Sequence, residues 1–290
     1  MENEHKYNSI EYHIQHELTR SDKEYAATHL NETDETRETT IAEIRRWIDD
    51  EMHIQIDDFL ILRFLRVCKF NLEKTKTRMQ NYYKLRSDLP EWFANTDPFQ
   101  PELQELINMG ICLPLRKLDN QGRIVIIARS SLHNPRIHKL SDIIKISAML
   151  FELAMKNRAI AASASVYGCT MINDVINPTI HQFFQIGPSI LKKVAHVWQN
   201  CYPMRFQLIY VINAPMFLDI SFKIFKSFMS EKIKKRINIY SHMQSCFKDI
   251  PANILPVEYG GTDGTIQELI EYWKKLIEEN RDWFISNKNN

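Results

Sequence analysis

The residues of this chain that could carry out chemistry are scattered and form no recognisable catalytic motif. The sequence contains no G-x-G-x-x-G, G-x-x-x-x-G-K-[ST], G-x-S-x-G or H-E-x-x-H pattern, and no histidine lies at a zinc-ligand spacing from a cysteine. Cys169 and Cys201 have no activating base nearby in sequence, and His181 and His196 are best explained as surface or packing residues. The sequence therefore argues against an enzyme and predicts neither a metal site nor a cofactor.

One acidic residue lies where α/β enzymes often place a catalytic carboxylate. Asp174 ends the strand-like segment Ile172, Asn173, Asp174, and the carboxyl ends of parallel strands are common sites for such groups. Aspartate also commonly caps the loop that follows a strand. We expect this structural role for Asp174.

An apolar segment is the strongest feature of the sequence. Residues 216–229 include Met216, Phe217, Leu218, Ile220, Phe222, Ile224, Phe225, Phe228 and Met229. An amphipathic helix needs one apolar stripe, and this segment has too many apolar positions for a single stripe. Either it is buried on both sides, or its inner side lines a cavity while its outer side meets lipid.

Basic residues gather around this segment, although the chain as a whole carries a net charge of only +1, which argues against nucleic-acid binding. Residues 1–58 carry a net charge of −10, whereas residues 59–86 and 192–236 each carry +7. In residues 192–236 the basic side chains are interleaved with apolar ones, a pattern typical of proteins that touch anionic membranes. A solvated helical surface is the alternative, above all for residues 59–86.

Composition and cysteine usage favour a soluble cytosolic protein. Of 290 residues, 44% are hydrophobic, which is enough for a folded core, and the five cysteines include no C-x-x-C pair. The acidic, polar N-terminus does not resemble a signal peptide. The longest apolar candidate, residues 206–217, is interrupted by Gln207, Asn213 and Pro215, so no membrane span is expected.

Hydrophobic periodicity divides the chain into two regions. Residues 40–107 show helical spacing, with Asp57 and Asn71 as candidate caps and Pro90 ending the last helix soon after Ser87. From Gly110 onward, strands alternate with helices, which predicts an α/β domain with a mainly parallel sheet. Strands are expected at 111–118, 123–128, 159–166, 168–173 and 206–213, with a final strand after 231–240. Helices are expected at 141–155, capped by Ser141, and at 180–186, 188–200, 216–229 and 265–280.

Several motifs, in order, resemble the CRAL-TRIO family of lipid-transfer proteins, in the branch of the tocopherol and retinaldehyde carriers and the clavesins. They are DDFLILRFLRVCKFNLEKTKTRMQNYYKLR, LDNQGRIVIIAR, QIGPSILKKVAHVWQNCYPMRFQLIYVINAPMFLD, SEKIKKRINIY and LPVEYGG. The resemblance runs from about residue 40 to about residue 285. It implies an N-terminal helical bundle and a lipid-binding domain with a deep apolar cavity. It also implies that residues 216–229 form a mobile gate helix, which covers the ligand when closed and enters the bilayer interface when open.

By matching position, the resemblance implies a set of ligand-binding residues on the cavity wall. They are Ile144, Ser147, Ala148, Phe151, Cys169, Ile172, Val194, Val197, Trp198, Ile209, Val211, Leu218, Phe222, Phe225 and Met229. Most of them are equally compatible with an ordinary core. Ser147 could orient a ligand hydroxyl or carbonyl, or its hydroxyl could bond back to its own helix.

The resemblance also implies a basic groove that binds phosphoinositide headgroups. Arg205, Lys232 and Arg236 match it, and Lys192, Lys193 and Lys235 lie close in sequence. The chain departs from the relatives in two places. Cys68 stands where they have arginine, with Arg66 and Lys69 as candidate substitutes, and the polar stretch SSLHNPRIHKL replaces aromatic residues near the pocket mouth.

The expected function is a non-enzymatic carrier of a tocopherol, retinoid or related isoprenoid, monomeric, cytoplasmic and peripherally associated with membranes. A phosphoinositide-dependent trafficking adaptor of the clavesin type and a phospholipid-transfer protein are the alternatives. The expected organisation is an acidic extension at 1–39, the helical module at 40–109, the lipid-binding domain at 110–264, and a C-terminal helix and tail at 265–290.

Overall fold

The fold was analysed in a computed structural model, which describes residues 18–241, 243 and 250–286. Within the described residues, six α-helices precede the first strand: α1 Arg20–Leu30, α2 Asp34–Trp47, α3 Asp58–Val67, α4 Leu72–Asp88, α5 Pro90–Phe93 and α6 Pro101–Met109. A π-helical turn, Ile48–Met52, continues α2. The two predicted caps are confirmed, because the side chains of Asp57 and Asn71 accept hydrogen bonds from the backbone N–H groups of Leu60 and Lys74.

Strands and helices alternate after α6, as the sequence predicts. The strands are β1 Cys112–Pro114, β2 Ile124–Ala128, β3 Cys169–Asp174, β4 Phe206–Ile212 and β5 Ile237–Ile239. The helices are α7 Leu140–Ala154, α8 Arg158–Tyr167, α9 Ile180–Gln185, α10 Pro188–His196, α11 Asp219–Ser227, α12 Glu231–Lys234, α13 Ile266–Glu279 and α14 Arg281–Ser286.

The five strands form one sheet in the order β1-β2-β3-β4-β5. The first pair is antiparallel and the other three are parallel, which confirms the predicted mainly parallel α/β domain. The parallel strands are joined through helices, because a parallel connection must return the chain to the same edge of the sheet. Most buried apolar residues of the chain form one core around this sheet.

Three expectations about local structure were wrong. The final strand, expected after residues 231–240, is β5 and lies within that run. Residues 159–166, expected to be a strand, lie within α8, where Ala161 and Ala164 are fully buried. Alanine is the best helix former, and small side chains allow close packing of α8 against α1 and α3. The cap expected at Ser141 is also absent: α7 begins one residue earlier, and Lys139 is its N-cap without a side-chain hydrogen bond.

Helix α1 lies within the region expected to be an acidic extension, yet it is part of the fold. Ala26 and Leu30 are fully buried together with Val166 of α8. The hydroxyl group of Tyr167 donates a hydrogen bond of 2.6 Å to Asp22. The N-terminal helix is therefore anchored to the α/β domain by both apolar and polar contacts.

A buried ion pair connects the chain after α1 to α3 and α8. The Arg66 guanidinium donates two hydrogen bonds of 2.8 Å to the Glu32 carboxylate and one of 2.7 Å to the Ser165 hydroxyl. Both members of the pair are 2% exposed. Burial alone would raise the pKa of the Glu32 carboxyl, but the hydrogen bonds and charges of Arg66 and Arg37 outweigh burial and lower that pKa.

Breaking this pair should destabilise the protein strongly. In Glu32→Gln the buried Arg66 guanidinium loses its counter-charge, so we expect the free energy of unfolding at neutral pH to fall by about 3–5 kcal/mol. The matched control is Asp88→Asn, which breaks the exposed Lys84–Asp88 pair and should change stability by less than about 1 kcal/mol. Denaturant unfolding monitored by fluorescence measures both variants.

The same pair predicts a pH dependence. Because folding lowers the pKa of Glu32, its stabilising contribution is complete above the unfolded-state value of about 4.3 and is lost as the pH falls through the folded-state value. The stability difference between wild type and Glu32→Gln should therefore narrow in acid. An equal difference at neutral pH and at about pH 3 would contradict the assignment.

Candidate functional site

One face of the sheet forms the floor of a cavity of about 360 Å³. Two rows of side chains, in register across β2, β3 and β4, make up this floor. The first row is Ile126, Met171 and Ile209, and the second is Ala128, Asn173 and Val211. Because side chains alternate between the faces of a strand, the residues between these positions point away from the cavity.

Helices close the cavity above the floor. Helix α7 contributes Ile144, Ser147, Ala148 and Phe151, and α10 with the π-helical turn that follows it contributes Val194, Val197 and Trp198. The Trp198 ring stacks on that of Phe206, with 4.9 Å between centroids, and meets the Phe225 ring edge-on at 5.6 Å. These aromatic contacts join α10, β4 and α11 around one side of the cavity.

The gate segment consists of a 3-10 turn, Met216–Leu218, and helix α11. Its inner side, with Leu218, Phe222 and Phe225, lines the cavity. Its outer side is exposed to solvent: Met216 is 87% exposed and Ile220 is 62% exposed. Of the two interpretations of this segment, burial on both sides is therefore wrong, and the segment separates the cavity from the protein surface.

A glutamine in the π-helical turn holds the end of the gate segment. The Gln199 carboxamide nitrogen donates to the carbonyl oxygens of Ala195 and Phe228, at 3.1 and 3.0 Å. Its oxygen accepts a hydrogen bond of 2.7 Å from the backbone N–H of Ser230. The chain just beyond α11 is thus attached to α10 through one side chain.

One end of the cavity is polar and belongs to the stretch SSLHNPRIHKL. Ser131 and His133 line the cavity there, together with Gln182 of α9. The Gln182 carboxamide nitrogen donates to the carbonyl oxygens of Ser131 and His133, both at 2.6 Å, and His133 is 2.7 Å from the side-chain oxygen of Gln185. These hydrogen bonds hold the polar residues of this part of the cavity wall in position.

Twelve of the fifteen residues expected on the cavity wall line the cavity. They are Ile144, Ser147, Ala148, Phe151, Val194, Val197, Trp198, Ile209, Val211, Leu218, Phe222 and Phe225. The structure thus brings together residues from four separate parts of the sequence. Their role in binding a ligand remains a prediction.

Cys169, Ile172 and Met229 were also expected on the wall, but they lie elsewhere. Ile172 points to the opposite face of the sheet from Met171, and Cys169 precedes an irregularity in the β3–β4 register. Met229 follows the end of α11 and is buried in the core. Two positions three apart on a strand cannot face the same side, so Cys169 and Ile172 could not both have been correct.

Sequence reasoning missed Met171 and Asn173, which carry the cavity face of β3. A central parallel strand is apolar on both faces, so the sequence of β3 does not indicate which face is which. The cavity-facing residues of β3 could have been identified only if the pairing of this strand with Ile209 and Val211 of β4 had been known. Trp92 and Phe93 of α5 were missed as well, because they come from the helical region rather than from the α/β region.

Ser147, the polar wall residue singled out in the sequence, bonds to its own helix. Its hydroxyl group donates to the carbonyl oxygen of Ile143 at 2.7 Å, which is the common arrangement for a serine inside a helix. The hydroxyl hydrogen of Ser147 is therefore not available to a ligand, although the side chain lines the cavity.

Arg205, Lys232 and Arg236 lie together and form a cluster with Lys69 and Lys74, which we call the basic cluster. Burial lowers the pKa of Lys232, and the positive charges of the other four residues lower it further. Burial also lowers the pKa of Arg205, to about 10. The Nε atom of Arg205 is buried and has no hydrogen-bond partner among the described residues. Concentrated, incompletely satisfied positive charge is the environment that an anionic group would stabilise.

The other basic residues expected in the groove are placed differently. Lys193 lies over the ring of Trp92, 5.9 Å from its centroid, and the charge of Lys235 acts on Glu231. Lys192 is exposed on α10. Arg66 is committed to Glu32, so it cannot replace the arginine missing at Cys68, whereas Lys69 and Lys74 lie within the cluster.

The residues considered for catalysis have structural roles. The Asp174 carboxylate accepts hydrogen bonds from the Tyr259 hydroxyl at 2.6 Å, from the Asn213 carboxamide at 2.8 Å and from the backbone N–H of Ile176 at 3.2 Å. Burial raises the pKa of the Cys201 thiol to about 11 and holds that of Cys169 still higher. Within the described part of the chain, no group of three histidine, cysteine or acidic side chains could hold a metal ion.

Comparisons with known families match most of the described chain. Residues 108–261 match the family described as the CRAL/TRIO domain, and residues 33–103 match the one described as the Pinta-like UBA domain. The first match contains all five strands and the gate segment. Among the residues described here, no helix is both long enough and apolar enough to cross a bilayer.

Several characterised proteins are similar to most of the chain. The alpha-tocopherol transfer protein-like protein of Mus musculus is 29% identical over 245 residues, which is 83% of this chain and 70% of that protein. Clavesin-2 of Rattus norvegicus is 27% identical, covering 86% of this chain and 76% of its own length. The crystal structure of Sfh5 covers 82% of this chain and 92% of that one, with a TM-score of 0.53 and 14% identity. That structural match shows the fold alone.

If the space above the floor is empty in the ligand-free protein, filling it should be tolerated. Ala148→Leu adds three carbons to a residue that lines the cavity, and buried methylene groups contribute about 0.8 kcal/mol each. We expect unfolding of the delipidated variant to be unchanged or more difficult by up to about 2 kcal/mol. The matched control, Ala164→Leu, enlarges a fully buried side chain of α8 and should cost about 1–3 kcal/mol. Equal destabilisation of the two variants would contradict the cavity.

Proposed function

Because this chain belongs to the CRAL/TRIO domain family, we propose that it is a non-enzymatic intracellular carrier of one small apolar lipid, which it exchanges at phosphoinositide-containing membranes. The observation that supports the proposal is the cavity of about 360 Å³, whose wall is mainly apolar and includes the inner side of the gate segment. The volume lies in the range of about 300–1,000 Å³ that is usual for small-molecule sites. Each 100 Å² of apolar ligand surface removed from water would contribute about 2.5 kcal/mol.

A tocopherol, a retinoid or a related isoprenoid is the proposed ligand class. The name of the relatives called alpha-tocopherol transfer protein-like supports the first of these. The aromatic side chains of Trp198, Phe222 and Phe225 suit flat or branched apolar molecules. The protein would act in the cytoplasm and at membrane surfaces.

Exchange at a membrane would use the two sides of the gate segment. The exposed Met216 and Ile220 would enter the bilayer interface, while the inner phenylalanines leave the ligand. The ligand would then pass between cavity and bilayer without its apolar surface meeting water. The bonds of Gln199 to Phe228 and Ser230 would keep one end of the gate attached while the other end moves.

The basic cluster is the proposed site for the phosphoinositide headgroup. Arg205 and Arg236 directly precede the cavity residues Phe206 and Ile237, and Arg236 donates a hydrogen bond of 2.6 Å to the carbonyl oxygen of Phe206. An anionic headgroup held at the cluster would therefore place the membrane next to the cavity wall. Lys69 and Lys74 would supply positive charge in place of the arginine that the relatives have at the position of Cys68.

A charge on the inner side of the gate should abolish lipid retention. In Phe222→Asp a carboxylate would face the cavity, where burial of a charge is costly, so purified protein should lose its bound lipid. The matched control, Ile220→Asp, places the same charge on the exposed side and should keep the lipid but slow its transfer between vesicles. Lipid extracted from each purified variant, together with a vesicle-to-vesicle transfer assay, measures both effects. Equal lipid content in the two variants would contradict the proposal.

Removing the basic cluster should abolish recruitment to phosphoinositide vesicles. Each basic contact is worth about 1 kcal/mol near an anionic surface, so changing Arg205, Lys232 and Arg236 to Ala should lower vesicle affinity by roughly 150-fold. The control changes the exposed Lys23, Lys84 and Lys275 to Ala and removes the same net charge elsewhere. Co-sedimentation with vesicles measures binding, which should also weaken with added salt. Sedimentation of the cluster variant at the wild-type level would show that the assignment is wrong.

The clavesin relatives support a second candidate, a phosphoinositide-dependent adaptor. In that case the protein would be isolated without lipid in stoichiometric amount, and recruitment to membranes would depend on a protein partner. The two experiments above separate these functions, because only the carrier loses lipid in Phe222→Asp.

A further inference from the structure

One polar side chain interrupts the apolar floor of the cavity. Five of the six floor residues are apolar, and the sixth is Asn173. Its partners in register are Ala128 on one side and Val211 on the other, neither of which carries a polar side-chain group. The small side chain of Ala128 leaves the Asn173 carboxamide accessible from the cavity.

The Asn173 carboxamide makes no hydrogen bond to any described residue. Its neighbours along β3 point to the other face, where the buried Asp174 is fully engaged with Tyr259, Asn213 and Ile176. A carboxamide has two donor hydrogens and an acceptor oxygen. The Asn173 side chain is half-buried and lines the cavity, so these groups are available to a molecule in the cavity, whereas a Leu or Val at this position would offer none.

Three other polar side chains of the cavity already have hydrogen-bond partners. The side chains of Ser147 and Gln182 donate to backbone carbonyl oxygens, and His133 is bonded to Gln185. Ser221 and Lys226 belong to the gate segment, at the boundary between cavity and solvent, where a lysine can extend its ammonium group to water. Asn173, in contrast, lies on the central strand β3, near the carboxyl end of that strand.

We propose that Asn173 is a specificity-determining residue of the cavity and that its carboxamide hydrogen bonds to a neutral hydroxyl or carbonyl group of the lipid. This inference rests on the proposed carrier function and narrows its ligand class. The ligand is an apolar molecule with one neutral polar group, rather than a pure hydrocarbon. A carboxylate does not fit beside Asn173, because the floor provides no positive charge and the one lysine of the described cavity wall, Lys226, belongs to the gate segment at the boundary with solvent. The carboxamide accepts from a hydroxyl and donates to a carbonyl, so either chemistry satisfies it.

Three probes that differ in one polar group test the inference. Dodecane, dodecanol and dodecanal share an apolar chain, and binding can be followed by the fluorescence of Trp92 and Trp198, which line the cavity. Wild-type protein should bind the alcohol, the aldehyde or both more tightly than the hydrocarbon, and the preferred probe distinguishes hydroxyl from carbonyl. In Asn173→Leu, a replacement of similar size, this preference should fall by about five- to tenfold, as expected for one hydrogen bond.

Two control variants separate hydrogen bonding from packing. Ile172→Leu changes the neighbouring residue of β3, whose side chain points away from the cavity, and Thr170→Val removes a buried hydroxyl group from that same opposite face. Both should keep the wild-type preference for the polar probes. Asn173→Leu should also bind dodecane at least as tightly as wild type does, which a merely misfolded variant would not.

The possible results have distinct meanings. If the preference for the polar probes is the same in wild type and Asn173→Leu, the role assigned to Asn173 is wrong, although the carrier function stands. If wild-type protein binds none of the three probes, the carrier function itself fails, and the inference fails with it. Loss of the preference in Asn173→Leu alone, with dodecane binding retained, is the result that the inference predicts.

Discussion

The structure depends on one constraint: the apolar face of the central sheet must be kept from water, and the side chains of this chain do not fill the space above it. On the opposite face, side chains such as those of Ile127 and Ile172 are fully buried in the main core. On the cavity face, α7, α10 and the gate segment stand away from the floor and leave about 360 Å³. The side chains that line such a space lack packing contacts on one side. A bound apolar molecule would provide those contacts.

This constraint explains why the gate segment has too many apolar residues for an ordinary helix. Its inner side replaces the layer of side chains that would cover the sheet, while its outer side is exposed. Hydrogen bonds through helix α8 connect the N-terminal helices to the basic cluster beside the cavity. The Glu32–Arg66 pair joins the N-terminal helices to α8 through Ser165. Nearby on α8, the carbonyl oxygen of Val166 accepts a hydrogen bond from Arg205 of the basic cluster.

Sequence patterns predicted those features that depend on local chemistry. The caps at Asp57 and Asn71, the order of most strands and helices, and the unusual character of residues 216–229 all follow from residue types at short spacing. Features that depend on tertiary contacts could not be predicted in this way. Small apolar residues at 159–166 are compatible with a strand or a helix, and only their packing against α1 and α3 decides between the two. The cavity face of β3 likewise depends on register with strands far away in sequence.

Long-range partners also changed the interpretation of charged residues. Arg66 seemed available to replace the arginine missing at Cys68, but its partners Glu32 and Ser165 lie 34 and 99 residues away. Lys74 was not singled out, although it lies in the basic cluster. A single sequence cannot indicate which charges are paired inside the protein and which are left to meet a ligand.

The central claim is that an apolar molecule occupies the cavity, and the mass of the intact protein tests it most directly. Protein purified without detergent would be measured by native mass spectrometry before and after incubation with lipid vesicles, and again after denaturation. The account predicts a species heavier than the chain by the mass of one lipid, with the excess lost on denaturation. If only the mass of the bare chain is found under all three conditions, the cavity does not hold a lipid and the account is contradicted.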